Sequence, residues 1–135
     1  MATDVKPLPL IVLLARNMIE ALDVPGYLTG GDGELLAVNE AAEELTGHQL
    51  DEFGRLAPDH WNSLAPRDHD GVPLSADRMP LTVALRRGTP AQGRFYMRAR
   101  DGLVEVDATA FPLCDELDLR GAVVLFWQTP APPGG

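Results

Sequence analysis

The chain is short of cysteine, of long apolar runs and of positive charge, and each shortage excludes something. Cys114 is the only cysteine among 135 residues, so no intrachain disulfide can form, which suits a reducing, cytoplasmic setting. The one apolar run of note, Leu10-Ile11-Val12-Leu13-Leu14-Ala15, gives way at once to Arg16 and Asn17. It falls far short of the roughly 18 residues a membrane span needs. The stretch ahead of it carries Asp4 beside Lys6, without the clustered positive charge that opens a secretion signal. Lys and Arg total 11 against 20 Asp and Glu, a formal net charge of -9, so phosphate backbones are repelled on average. Neither a membrane nor a nucleic acid is an expected partner. A phosphate loop is missing too: Gly30-Gly31-Asp32-Gly33 lacks the Gly-x-x-x-x-Gly-Lys pattern and precedes a strand.

What is present is ordinary globular material. Hydrophobic residues make up 45% and charged residues 23%, which supports a folded core, and the length fits one domain. Pro9 suits the first turn of a helix, and Ile11, Leu14, Ala15, Met18 and Leu22 then recur at helical spacing until Pro25-Gly26. Leu10, Val12 and Leu13 widen the apolar stripe. A helix this apolar at its start needs cover on more than one side, from its own domain and from a second copy. Burial within its own core alone is the alternative.

Beyond Pro25 the punctuation is Asp-Gly, which favours tight turns. Asp32-Gly33 joins a strand at Tyr27-Leu28-Thr29 to another at Glu34-Leu35-Leu36-Ala37-Val38, and Asp101-Gly102 joins residues 94–98 to 104–110. A third pair, Asp70-Gly71, falls in an irregular stretch, residues 48–74, anchored by Trp61. Asn39 can cap a helix over residues 40–46 closed by Gly47, and Pro80 can open one ended by Arg86, Arg87 and Gly88, with Leu81, Ala84 and Leu85 on one face. The last strand, residues 122–127, is apolar on both faces and calls for cover on both. The short helices can supply one cover and the N-terminal helix the other. Residues 129–135 read as a Pro/Gly-rich flexible tail.

In this order the pieces resemble a known family. Residues 32–42, Asp-Gly-Glu-Leu-Leu-Ala-Val-Asn-Glu-Ala-Ala, look like the opening hairpin and first helix of a PAS domain. Trp61-Asn62-Ser63-Leu64, Asp70-Gly71-Val72-Pro73-Leu74 and Pro80-Leu81 through Arg87-Gly88 are similar to the middle of a bacterial PAS subgroup, and Asp101-Gly102, Pro112-Leu113 and Gly121-Ala122-Val123-Val124 to its closing strands. The resemblance implies an α+β fold: a PAS-like five-stranded antiparallel sheet with short helices on one face and an N-terminal flanking helix. Residues 1–24 would be the flank, 25–128 the PAS domain and 129–135 the tail. It further implies a bacterial sensory, signal-transducing domain that binds small molecules, forms homodimers or meets a signalling protein.

Haem-binding relatives usually take an axial His from the helix that matches residues 80–87, and no His is there; His48, His60 and His69 all precede it. Photoactive flavin relatives carry a reactive Cys in an Asn-Cys-Arg-Phe-Leu-Gln-like motif that this chain lacks. No cofactor is therefore expected. Asp68-His69-Asp70 could suggest a metal, but three adjacent residues beside Gly71 do not converge easily, and a solvated turn is the better reading. No metal is expected either. The closing Phe126-Trp127-Gln128-Thr129-Pro130 departs from the Asp-Ile-Thr-like ending of many PAS domains.

Along residues 104–110, Val104, Val106, Ala108 and Ala110 should share the inner face, with Glu105, Asp107 and Thr109 on the other. Asp107 would then face away from any pocket, which argues against an enzyme built on it. The expected ligand lining is Leu36, Leu45, Trp61, Leu81, Leu85, Phe95, Val106, Ala108, Ala110, Val124 and Phe126, suited to an uncharged or weakly polar molecule. Its alternative is a filled core and a ligand-free dimerisation or docking module. The expected dimer surface is Leu10, Ile11, Leu13, Leu14 and Met18 with Val123, Leu125 and Trp127.

Overall fold

The computed structural model describes residues 9–47, 66–100, 102–116 and 118–128. Trp61, His48, His60 and the expected tail lie outside the described residues. The elements are α1 (Leu10–Glu20), β1 (Gly26–Gly30), β2 (Leu35–Val38), α2 (Glu40–Thr46), a 3-10 turn at Ala76–Arg78, α3 (Pro80–Arg87), β3 (Ala91–Ala99), β4 (Gly102–Cys114) and β5 (Leu119–Gln128). The strands form one antiparallel sheet in the order β2-β1-β5-β4-β3. Among the described residues no helix is long and apolar enough to cross a membrane.

Local chemistry explains the short helices. Asn39 sits in the extended region and its side chain accepts from Ala42 N–H, capping α2 as expected. Gly47 and Gly88 close α2 and α3 at φ of 78° and 67°, left-handed geometry that glycine adopts without a Cβ penalty. Pro9 stands just outside α1 rather than within its first turn, and the helix ends at Glu20, before Leu22. The strands outrun their expected limits. β3 begins at Ala91, and β4 continues through Pro112 to Cys114. Its pairing with β3 stops at the Ala91–Ala110 pair, so Pro112 lies where one side of the strand has no β3 partner.

The sheet has two covered faces. On the inner one, α2 and α3 bury Tyr27, Leu81, Ala84, Phe95, Met97, Val106, Ala108, Val124 and Phe126 in one cluster. On the outer one, α1 presses Val12, Ala15 and Ile19 onto Leu28, Ala37 and Val123. β5 serves both faces, as its unbroken apolar run requires: Val124 and Phe126 point in, Val123 and Leu125 point out.

A bulge corrects one expected position. Leu28 pairs with Ala37 but Thr29 pairs with Leu35, leaving Leu36 as the extra residue on β2. Leu36 therefore packs with Ala37 against the α1 cluster, not on the inner face, and Leu35 takes the inner position.

Gly121 pairs with Gly30, and a Cβ added at Gly121 would run into the Thr29 carbonyl oxygen, a backbone atom with little freedom to yield. Gly121→Ala is expected to lower stability by about 1–3 kcal/mol. A urea midpoint unchanged from the parent would overturn this account of the β1–β5 approach.

Candidate functional site

The inner face brings together nine of the expected lining residues: Leu81, Phe95, Val106, Ala108, Ala110, Val124 and Phe126 within the buried cluster, Leu45 and Leu85 at its margin. Tyr27, Leu35 and Met97 join them, and sequence reasoning did not place them there. The ring of Phe126 stands edge-on to Tyr27 at 5.3 Å and to Phe95 at 6.5 Å, an aromatic ladder across β1, β5 and β3. Burial pushes the Tyr27 phenol above its ordinary range, partly offset by a hydrogen bond with Thr46 on α2. The Thr46 hydroxyl in turn donates to the Ala42 carbonyl at 3.0 Å.

Small residues cluster beneath α3. Gly93 pairs with Ala108 and Ala91 with Ala110, and a Cβ built on Gly93 would lie 3.1 Å from Cγ of Pro80. Ala84 is fully buried in the same cluster. These residues let the helix sit close on β3 and β4, so the paired alanines serve close packing at this spot. The open space on this side lies further along. A cleft of about 360 Å³ opens at the end of the inner face, lined by Pro25, Ala41, Leu45, Ala99 and Val104, with Asp23, Glu44 and Gln128 also in its wall.

The outer face is only half covered by α1. Over β3 and β4 runs an open groove of about 830 Å³ lined by Pro90, Gln92, Gly93, Arg94, Asp107, Ala108, Thr109, Phe111 and Trp127, with no residue of α1 in its wall. Arg94 grips Asp107 through two bonds, Nε to Oδ1 at 2.8 Å and Nη2 to Oδ2 at 3.1 Å. That hydrogen-bonded guanidinium holds the Asp107 carboxyl below its ordinary value. Asp107 thus belongs to the outer face, as its place in the strand implies. Farther along, Arg67 exchanges backbone bonds of 2.8 Å with Tyr96 on the free edge of β3. The His69 ring meets Tyr96 edge-on, and its Nε2 lies 3.0 Å from Glu105 Oε2. The Asp68 carboxylate is turned instead to the Asp70 and Val72 amides, at 2.9 and 3.0 Å, so these neighbours diverge in the manner of a turn.

The expected dimer residues separate into three groups. Leu10, Leu14 and Met18 are exposed along one side of α1, and Trp127 is exposed in the groove. Ile11 and Leu13 are half-buried at the helix margins. Val123 is buried beneath the chain's own α1 and is not free to meet a second copy, while Leu125 is half-buried at the edge of the same cluster. The reason is the outward face of β5, which α1 already covers.

No protein-family model matches the sequence, and a search of curated proteins finds no match. Solved structures do match. The PAS domain of a Colwellia psychrerythraea protein is similar at a TM-score of 0.59 with 16% identity, covering 88% of this chain and 97% of that one. The PAS domain of nitrogen regulation protein NR(II) from Vibrio parahaemolyticus gives 0.60 with 13% identity, covering 86% and 98%. A variant of Vivid gives 0.62 with 15% identity, covering 96% and 100%. The chain has the PAS fold. Identities this low carry the architecture alone and leave the site to be argued from its own residues.

Among the described residues α3 carries no imidazole, His69 lies toward the outer face, and Cys114 is exposed at the end of β4. None offers the inner face an axial ligand or an adduct-forming thiol.

Close packing under α3 makes a specific demand on this PAS sheet. Ala108→Leu is expected to destabilise the protein by about 1–3 kcal/mol through overpacking. A variant as stable as the parent in denaturant unfolding would mean that space exists beneath the helix after all.

Proposed function

We propose that this chain is a sensory signal-transduction module that works by association and not by catalysis, and that it forms a homodimer through α1 and the outer groove. The observation behind this reading is the double character of α1. Val12, Ala15 and Ile19 are spent on the chain's own sheet, yet Leu10, Leu14 and Met18, a turn apart on another side, are 71, 58 and 51% exposed. Phe111 and Trp127 lie in the neighbouring groove and are 40 and 42% exposed. An apolar ridge and a part-apolar groove on one surface suit a two-fold arrangement in which each copy's ridge enters the other's groove. Burying such side chains stabilises the pair by roughly 25 cal/mol per Å² of apolar area removed from water.

Leu14→Glu tests this reading. The parent should scatter light as twice 14.6 kDa at micromolar concentration and the variant as a single chain. Monomer stability should shift by no more than about 0.5 kcal/mol, because the position is exposed. A parent that is monomeric, or a variant that remains dimeric, would overturn the interface.

A second reading, small-molecule sensing, is favoured by the cleft beside Leu45 and Val104, whose 360 Å³ falls within the range of ligand pockets. Its wall is about half polar, Asp23, Glu44 and Gln128 facing Pro25, Ala41, Leu45, Ala99 and Val104, and suits a weakly polar organic molecule that carries hydrogen-bond donors. Native mass spectrometry of the purified full chain should then show a bound organic mass that is lost in Val104→Trp. A bare protein mass in the parent would leave the ligand-free dimerisation module as the better account.

A further inference from the structure

The wall of the cleft beside α2 is unbalanced in charge. Asp23, in the link between α1 and β1, and Glu44, on α2, both line it, together with the Gln128 amide. Among the described residues neither carboxylate has a hydrogen-bonded or ionic partner. The wall holds no Lys or Arg to neutralise them. Arg100, whose backbone N–H bonds to the Leu45 carbonyl, lays its side chain against Gly47, where a Cβ would lie 3.3 Å from its Nε. Other carboxylates of the chain are answered: Asp77, Asp107 and Asp115 each hold an Arg side chain, at 2.8, 2.8 and 2.7 Å.

The rest of the wall is carbon, from Pro25, Ala41, Leu45, Ala99 and Val104. A concave wall with charge of one sign concentrates the opposite charge, and the chain's net charge of -9 adds to the pull. A bare divalent ion fits poorly, because Ca²⁺ or Mg²⁺ takes about six oxygen ligands and half of this wall offers none. A quaternary ammonium fits poorly as well. It has no N–H for a carboxylate, and the wall has no aromatic ring to face it. A primary ammonium on an apolar body meets both halves of the wall, since its N–H groups can all be donated to acceptors.

We propose that the cleft is a binding site for a small primary amine, its ammonium held by Asp23 and Glu44 and its apolar body resting on Leu45 and Val104. This names the ligand class of the small-molecule reading above and rests on that reading. Both carboxylates are exposed, so they select the ligand without carrying the fold. Selection works by exclusion too, because an anionic counterpart of the same shape is repelled by the same two groups.

Hexylamine tests the proposal on the full chain at neutral pH, with hexanol and hexanoate as its neutral and anionic counterparts. Binding is read from the NMR shifts of the Leu45 and Val104 amides. The amine should saturate them with an affinity about tenfold above that of the alcohol, the margin of a charge-assisted hydrogen bond, and hexanoate should leave them unmoved. Asp23→Asn combined with Glu44→Gln should bring the amine down to the alcohol and leave the alcohol unchanged. NaCl at about 1 M should do the same by screening, an arm that needs no substitution. Equal affinity for amine and alcohol in the parent overturns the amine assignment and leaves the cleft reading standing. An amine preference that survives both the double substitution and salt overturns it as well. If no probe moves Leu45 and Val104, the cleft is not a site and both readings fail together.

Discussion

Everything in this molecule follows from a strand that is apolar on both sides. β5 occupies the middle of the sheet and sends Val124 and Phe126 one way and Val123 and Leu125 the other. Neither face can be left to water, so the fold needs two covers, and the short helices between β2 and β3 supply only one. The second must come from the chain ahead of the sheet. That is why α1 folds back across β1, β2 and β5, and why the sheet has its two hydrophobic clusters, each closed by different elements.

Two covers raise the problem of keeping them in register, and the connection between them is short. Between Glu20 at the end of α1 and Gly26 at the start of β1 the backbone makes few bonds of its own, and Asn39 accepts or supplies several of those it needs. A buried polar side chain with so many partners is costly to leave unsatisfied and gains most when all of them are in place. The corner where α1, β1 and α2 meet is therefore specified by one residue and not by a broad apolar contact. The exposed apolar ridge on α1 and the cleft beside α2 are both built outward from that corner.

Much of this was legible in the sequence because it depends on local chemistry. The caps at Asn39, Gly47 and Gly88, the alternation through Val104 to Ala110 and the need for two covers over residues 122–127 can all be read along the chain. What was hidden depends on pairing between distant segments. The bulge opposite Leu28 and Thr29 adds one residue to β2 and turns Leu36 outward, a change that no alternation pattern in Leu35-Leu36-Ala37-Val38 reveals. The role of Ala108 was ambiguous for the same reason, since only the approach of Pro80 to Gly93 shows close packing there. Val123 and Leu125 lie under α1, the cover the sequence already offers for that side of residues 122–127, and only the packing shows that this buries Val123 away from any second copy. The donor half of Asn39 was invisible because its partners lie fifteen to twenty residues upstream.

The same bulge has a bearing on how the protein behaves when crowded. β2 is one edge of the sheet, only four residues long and kinked by its extra residue, while the β3 edge is already engaged at Tyr96 by Arg67. Exposed strand edges invite other chains to add on in register, and short, bent or occupied edges discourage it. Both borders of this sheet are thus poor templates for lateral growth toward aggregates. The faces of the sheet differ in this respect, since there side chains and not backbone amides meet the surroundings.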